Sequence, residues 1–118
     1  MTGEAKLRPA RQRVAQQPRE RDAELAALER LLAIAKSDTG QSRRVANFLL
    51  AWWNAGRDGG FDFTDLWMVD AAIADDMVTV IAMIRRHRGY PDSLGYREDF
   101  EKLVVLWRGN RRKRRARV

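Results

Sequence analysis

The chain has 118 residues and a net charge of +7, with 45% hydrophobic residues, four tryptophans and no cysteine. This length is enough for one domain. The lack of cysteine excludes disulfides, thiolate metal sites and thiol nucleophiles. No apolar run approaches the ~20 residues that span a bilayer, and the N-terminus has no apolar stretch that could act as a signal peptide. We therefore expect a cytoplasmic protein with no membrane contact.

The positive charge is concentrated at the two ends of the chain. Residues 1–19 carry a net charge of +4 and residues 108–118 carry +7, whereas residues 20–107, with 11 basic and 15 acidic residues, carry −4. Neither end shows the apolar periodicity of a packed helix. We predict a basic, disordered N-terminal arm at 1–19, a helical domain at 20–108, and an arginine-rich, disordered tail at 109–118.

Two amphipathic helices are predicted in the first half of the domain. Over residues 21–36, apolar residues recur every three or four positions, which is the helical period. They are Leu25, Leu28, Leu31, Leu32 and Ala35. Asp38 and Gln41 have the spacing of a capping box that opens a second helix. Its predicted buried stripe is Val45, Phe48, Leu49, Trp52 and Ala55, and Gly56 is predicted to end it.

The middle of the domain predicts a short helical turn followed by a long helix. Asp62 is placed to cap the turn, and Asp70 is placed to cap a helix over residues 71–87. That helix is apolar over a wide face, so we predict that it is central in the bundle. Gly89 and Pro91 are predicted to end it. Periodicity leaves open whether residues 63–87 form one kinked helix or two.

A last helix is predicted over residues 97–108, with Phe100, Leu103, Val104 and Trp107 buried and Gly109 at its end. No run shows the strict alternation of a strand. The predicted fold is therefore all-α, a compact bundle of about four helices plus one short helical turn, with flexible basic N- and C-terminal arms.

Chemistry-bearing motifs are sparse in the sequence. The one histidine, His87, stands among arginines with no adjacent carboxylate to orient it as a base. Five aspartates between 62 and 76 invite a metal site, but their spacing is better explained by helix caps and first turns. They are Asp62, Asp65, Asp70, Asp75 and Asp76. We predict no catalytic residue, no metal, no cofactor and no small-molecule substrate, and hence a non-enzymatic protein.

Several residues of the domain are candidates for binding a protein partner. Trp53 and Trp67 are less well placed for the core than Trp52 and Trp107, and exposed tryptophan is common at binding hot spots. Asp65, Asp75 and Asp76 are the acidic candidates. Asp76 lies at the edge of an apolar face, so if it is buried it needs a partner, such as Arg43, Arg44 or a tryptophan indole N–H.

The C-terminal segment RRKRRAR carries six cations in seven residues. They are Arg111, Arg112, Lys113, Arg114, Arg115 and Arg117, which we call the cationic tail. A cluster of this kind gains most by releasing counterions from a polyanion. We predict non-specific nucleic-acid binding by the tail, assisted by Arg11 and Arg13 of the N-terminal arm. A solvated tail, or one folded back on the acidic domain, is the alternative.

Three stretches of the sequence resemble a known family. They are L-L-A-W-W-N-A, F-D-x-x-D-L-W-x-V-D-x-A-I-A-D-D-M and R-x-Y-P-x-x-L-G. Over about residues 27–108 the chain resembles a domain of unknown function carried on integrative and conjugative elements and plasmids of proteobacteria. The resemblance implies a cytoplasmic accessory protein of a mobile element, and it supplies no catalytic or binding residues.

The sequence leaves three functional hypotheses. The first is a non-enzymatic module that contacts nucleic acid through its arginine-rich ends while the acidic bundle docks a protein partner or a second copy of itself. The second is a protein-binding inhibitor of the anti-defence type that occludes a partner surface without touching nucleic acid. The third is an enzyme with a metal gathered by the aspartates.

Overall fold

Four α-helices and two short 3-10 helices make up the fold. The computed structural model describes the backbone of residues 2–117 and the side chains of residues 19–109. The α-helices are α1 (Thr2–Ala35), α2 (Gly40–Asp58), α3 (Ala71–His87) and α4 (Arg97–Arg117), and the 3-10 helices are Phe63–Trp67 and Pro91–Leu94. Residues 2–117 contain no strand, so the all-α prediction is confirmed. The predicted arms lie almost wholly outside the described side chains, and their disorder stays a prediction.

One hydrophobic core joins all four α-helices. It contains aliphatic and aromatic residues spaced at the helical period, as predicted for α1, α2 and α4. The buried apolar residues are Ala27, Leu28, Leu31, Leu32, Ala35, Val45, Ala46, Phe48, Leu49, Leu50, Met77, Val80, Met83, Phe100, Leu103 and Val104. Trp52 and Trp107 pack half-buried at its edge, whereas Ala55, predicted to be buried, is exposed.

The predicted central position of α3 is wrong. α1 packs against both α2 and α3, and α2 also packs against α4, so α1 and α2 are the inner pair. α3 buries only the narrow stripe Met77, Val80 and Met83, while Val78 and Ile81 are exposed. α3 is apolar on several sides, but α1 is the α-helix that it mainly packs against. Its apolar composition therefore did not indicate a central position.

α2 begins with a different cap from the one predicted. Thr39 is the N-cap, and its hydroxyl accepts a hydrogen bond from the Ser42 backbone N–H at 3.0 Å. Gln41 instead reaches across the fold, where its amide oxygen accepts a hydrogen bond from the Asp70 backbone N–H at 2.6 Å. The Asp38–Gln41 capping box is therefore wrong, because Gln41 bonds to the start of α3 rather than to its own helix.

The end of α2 also differs from the prediction. The helical geometry is interrupted at Asn54 (φ −161°, ψ 88°), and the helix ends at Asp58 with Gly59 as the C-cap. A Cβ on Gly59 would lie 2.3 Å from the Ala55 carbonyl oxygen, whereas a Cβ on Gly56 would meet only the Asn54 side chain at 4.0 Å. Gly59, not Gly56, is thus the glycine that the helix end requires.

Residues 63–87 form two separate elements rather than one kinked helix. The 3-10 helix ends at Trp67 and α3 begins at Ala71. Asp70 stands at the N-cap of α3 but makes no side-chain capping bond. At the other end, Arg88 rather than Gly89 adopts the left-handed conformation (φ 57°) that ends the helix. Gly109 lies inside α4, which continues to Arg117, so the predicted stop at Gly109 is also wrong.

Candidate functional site

The 3-10 helix at Phe63–Trp67 presents a cluster of exposed apolar side chains. Trp67 is 80% exposed and Phe63 is 76% exposed, and Met68, the next residue, is exposed as well. We call Phe63, Trp67 and Met68 the aromatic surface. Three large apolar side chains within six residues are unusual on the surface of a small domain, and tryptophan is the residue most enriched at binding hot spots.

The aromatic surface is connected to the core by a series of ring contacts. Phe48 is buried in α2, and its ring meets that of Phe61 edge to face, with centroids 5.2 Å apart. Phe61 in turn meets Phe63 edge to face at 5.8 Å. This arrangement is the preferred one for aromatic pairs. Phe63 is therefore held in place from below while most of its surface faces solvent.

Reciprocal capping fixes the backbone of the 3-10 helix. The Asp62 carboxylate accepts hydrogen bonds from the Thr64 backbone N–H and hydroxyl, both at 2.8 Å. These bonds hold the pKa of Asp62 below its usual value. The Asp65 carboxylate accepts a bond from the Asp62 backbone N–H at 3.2 Å, which completes a capping box. The predicted cap at Asp62 is confirmed.

Asp65 also forms an ion pair that links the 3-10 helix to α2. Its carboxylate is buried and accepts a hydrogen bond from the Arg44 guanidinium. The structure thus places Asp65, a predicted partner-binding residue, beneath the surface with its carboxylate engaged within the chain. Asp65 holds the aromatic surface in position rather than forming part of it.

The other two acidic candidates lie in the first turns of α3, which packs against the 3-10 helix. Asp75 is exposed. Asp76 accepts two hydrogen bonds, both 2.9 Å, from Nε and Nη2 of Arg30 in α1. This pairing raises the pKa of Arg30. The need for a partner at Asp76 is confirmed, but the predicted partners are wrong, because the inner helix beside α3 is α1.

Of the two tryptophans predicted to bind a partner, only Trp67 is exposed. Trp53 is half-buried and its ring stacks on Phe100, with centroids 5.7 Å apart and planes at 27°. Trp52 meets the same ring edge to face at 5.7 Å, and its indole N–H donates to the Gly89 carbonyl oxygen at 3.0 Å. Both neighbouring tryptophans are therefore used to attach α2 to α4 and to the loop after α3.

His87 takes part in a local hydrogen-bond chain. Its Nε2 lies 2.7 Å from the Ser93 hydroxyl oxygen, and that hydroxyl donates to the Tyr90 carbonyl oxygen at 2.6 Å. Because the one serine proton goes to Tyr90, the imidazole N–H is the donor to Ser93. A base that activates a serine needs the opposite direction, so this pair has a structural role in the loop.

Arg108 has a structural role. In the sequence it is part of the basic C-terminal segment, residues 108–118. It is buried, and its guanidinium donates to the Asp58 carbonyl oxygen at 3.2 Å, to the Asn47 side-chain oxygen at 2.6 Å and to the Trp107 carbonyl oxygen at 3.1 Å. The cationic tail and the arginines Arg11 and Arg13 lie outside the described side chains, so their predicted role stays a prediction.

The folded body pairs its charges with one another. Residues 19–109 contain six ion pairs between side chains. They are Arg30–Asp76, Lys36–Asp99, Arg44–Asp65, Arg57–Asp58, Arg86–Glu24 and Arg97–Asp92. Within the same residues, no group of three acidic or histidine side chains is placed to hold a metal ion. No helix in this part of the chain is long and apolar enough to cross a membrane.

Two members of the candidate site, Phe63 and Met68, were not predicted from the sequence. The signal was present, because a 3-10 helix this short cannot bury all of its side chains. Three large apolar residues within six positions are more than so short a helix can cover, so some of them are exposed. The fold and the site together define an all-α protein with a rigidly supported aromatic surface.

A family model, the family of unknown function DUF7673, matches residues 25–108, and the chain belongs to this family. The match covers the core helices and the aromatic surface, and it leaves the cationic tail outside. No curated protein and no solved structure matches the chain.

Proposed function

We propose that this protein is a non-enzymatic accessory module that binds nucleic acid through its arginine-rich ends while its folded body docks a protein partner. As a working context we propose the cytoplasm of a bacterium that carries a mobile element, which is where the resemblance places such proteins.

The separation of charge between body and ends carries the proposal. The six ion pairs of the body engage acidic side chains with the body's own cations. The tail adds six cations with no acidic residue between 109 and 118. The body carries a net charge of only −4, against +11 on the two ends together, so it cannot neutralise both ends. A phosphate backbone offers the tail a larger gain through counterion release. Contacts of this kind give affinity without sequence selectivity.

The nucleic-acid part is tested with two variants that remove the same charge from different places. Arg114→Gln with Arg115→Gln removes two tail cations, and Arg43→Gln with Arg85→Gln removes two exposed cations of the body. We expect the tail variant to bind duplex DNA at ~0.1 M salt roughly tenfold or more weakly than the unmodified protein, and the body variant to bind nearly as well as it does. Equal losses in the two variants would contradict a role specific to the tail.

The aromatic surface is the part of the body that we propose docks the partner. The Phe63 ring is held by its contact with Phe61, and the capping box fixes the backbone that carries Trp67, so little backbone freedom is lost on binding. Asp62 and Asp70 lie at either end of this segment, and both are exposed. A complementary partner therefore has an apolar pocket with a basic rim.

The same surface favours the second candidate function, a protein-binding inhibitor that occludes a partner without touching nucleic acid. Both proposals expect a protein partner at the aromatic surface, and they differ in whether the protein itself binds nucleic acid, which the duplex-DNA measurement above decides. We expect Trp67→Ala to abolish capture from nuclease-treated lysate, and Tyr90→Ala, which truncates an exposed aromatic side chain elsewhere, to leave it intact. Loss of capture by the unmodified protein on nuclease treatment would show that capture runs through nucleic acid, and it would contradict docking of a protein partner at the aromatic surface.

A further inference from the structure

A second group of exposed apolar side chains lies on α4, on the face opposite the one that packs against the core. Val105 is 70% exposed and Leu106 is 57% exposed. They line a shallow, largely apolar groove together with Lys36, Glu98, Glu101 and Lys102. At 100° per residue, Glu98, Val105 and Gly109 fall on the side of α4 opposite the buried Phe100 and Val104. Outside α4 itself, Lys36 is the residue that lines the groove within the described part of the chain.

Gly109 is a second notable feature of this face of α4. Gly109 lies inside α4 in a helical conformation, one turn after Val105. No described atom within 4 Å would meet a Cβ there, so packing inside the chain does not require glycine. A glycine inside a helix costs about 1 kcal/mol relative to alanine. The lack of a side chain does, however, allow another helix to approach the backbone closely.

The charges along α4 allow a self-complementary contact. Residues 97–102 carry three acids and two bases, Glu98, Asp99, Glu101, Arg97 and Lys102, and residues 111–117 carry the cationic tail. Glu98 comes seven residues before Val105 and Arg112 comes seven residues after it. When two such helices lie antiparallel with their Val105 residues at the centre, position 98 of each stands beside position 112 of the other. One acidic and one basic position then face each other twice.

We propose that α4 forms an antiparallel homodimer centred on Val105, with a second copy of this chain as the occupant of the groove. The contact is small, so the dimer is weak and forms at micromolar or higher concentration. This inference goes beyond the proposed nucleic-acid function and does not rest on it. One of the six tail cations takes part in each pair, and the other five remain available.

The test is sedimentation equilibrium of the full chain, free of nucleic acid, at low salt and over a range of concentrations. We expect a monomer–dimer equilibrium that Val105→Lys weakens by at least about tenfold. Val78→Lys, which places the same charge at an exposed valine of α3, is expected to leave it unchanged. Thermal unfolding checks that both variants fold. A protein that stays monomeric at all concentrations, or a dimer insensitive to Val105→Lys, would overturn the proposal.

A charge exchange tests the antiparallel register. Glu98→Arg alone and Arg112→Glu alone each place like charges together twice and are expected to weaken the dimer about tenfold. The double variant restores opposite charges across the axis, so we expect it to dimerise about as well as the unmodified chain. A dimer that neither single variant weakens would be held by another surface or by a parallel α4 contact, and single-variant losses that the double variant does not restore would likewise contradict the antiparallel register.

Gly109→Ala adds an independent readout. We expect it to raise the thermal stability of the monomer, because alanine favours the helix, and to weaken the dimer, because its methyl group separates the two backbones. If Gly109→Ala strengthened the dimer as well as raising the thermal stability of the monomer, Gly109 would have no part in the contact.

Discussion

Arg43 and Arg44 are adjacent in the sequence and differ in their surroundings. Arg44 pairs with the buried Asp65, whereas Arg43 is exposed. Removing Arg44 leaves the Asp65 carboxylate buried without its cationic partner, which is costly in a poorly hydrated site. The ion pair also joins α2 to the 3-10 helix that carries the aromatic surface.

We therefore expect Arg44→Ala to lower the free energy of unfolding by about 2 to 3 kcal/mol. We expect Arg43→Ala to change it by less than about 0.5 kcal/mol. Chemical denaturation of the two variants measures the difference. Equal effects would mean that the Asp65 pair contributes nothing specific to stability.

A similar contrast separates Arg108 from the basic residues that follow it. Arg108 is buried and donates to three oxygens, while Arg97 is exposed and its nearest carboxylate oxygen, on Asp92, is 3.7 Å away. We expect Arg108→Ala to destabilise the fold by about 2 to 3 kcal/mol through the acceptors left without a donor, and Arg97→Ala by less than about 0.5 kcal/mol. Thermal or chemical unfolding distinguishes them, and a mild Arg108→Ala would contradict the structural role.

Partners of individual residues were the least predictable part of the protein. The sequence indicated that Asp76 needs a partner, because it lies at the edge of an apolar stripe, but it could not identify Arg30, which is 46 residues away. That partner depends on which helix packs beside α3. For the same reason the sequence could not separate Trp53, which stacks on Phe100, from the exposed Trp67.

At the scale of elements, most helices could be predicted and their ends less well. The apolar period defines the helices because it reflects the core, and α3 begins and ends where predicted. A helix end depends on local hydrogen bonds with several possible donors, and at α2 Thr39 rather than Asp38 supplies the cap. Glycine is ambiguous for the same reason, since Gly56, Gly59 and Gly109 look alike in sequence, and of the three only Gly59 stands at a helix end.

The two glycines near the end of α2 give a matched prediction. Gly59→Ala places a Cβ against the Ala55 carbonyl oxygen, so we expect it to destabilise the protein by about 2 kcal/mol or more. Gly56→Ala meets no close atom, and we expect it to be neutral or to stabilise the helix by up to about 1 kcal/mol. Thermal unfolding of both variants measures this. A stable Gly59→Ala protein would place the helix end elsewhere.

For the whole molecule, the central claim is a division of labour between a body that pairs its own charges and ends that offer theirs to a polyanion. The sequence predicted the division, since net charge by segment needs no fold. The structure adds that cations within residues 19–109 have carboxylate partners, and that Arg108 is buried. The aromatic surface could not be predicted in full, because exposure depends on how the 3-10 helix is seated.

The most direct measurement of this claim is the salt dependence of duplex-DNA binding. Each phosphate contact contributes roughly −0.9 to the slope of the logarithm of the binding constant against the logarithm of salt concentration. If all six tail cations contact phosphates, the slope is therefore about −5 or steeper. Replacing the six tail cations with glutamine is expected to make the slope shallower by about 5. An unchanged slope in that variant would show that the tail does not contact the nucleic acid and would contradict the account.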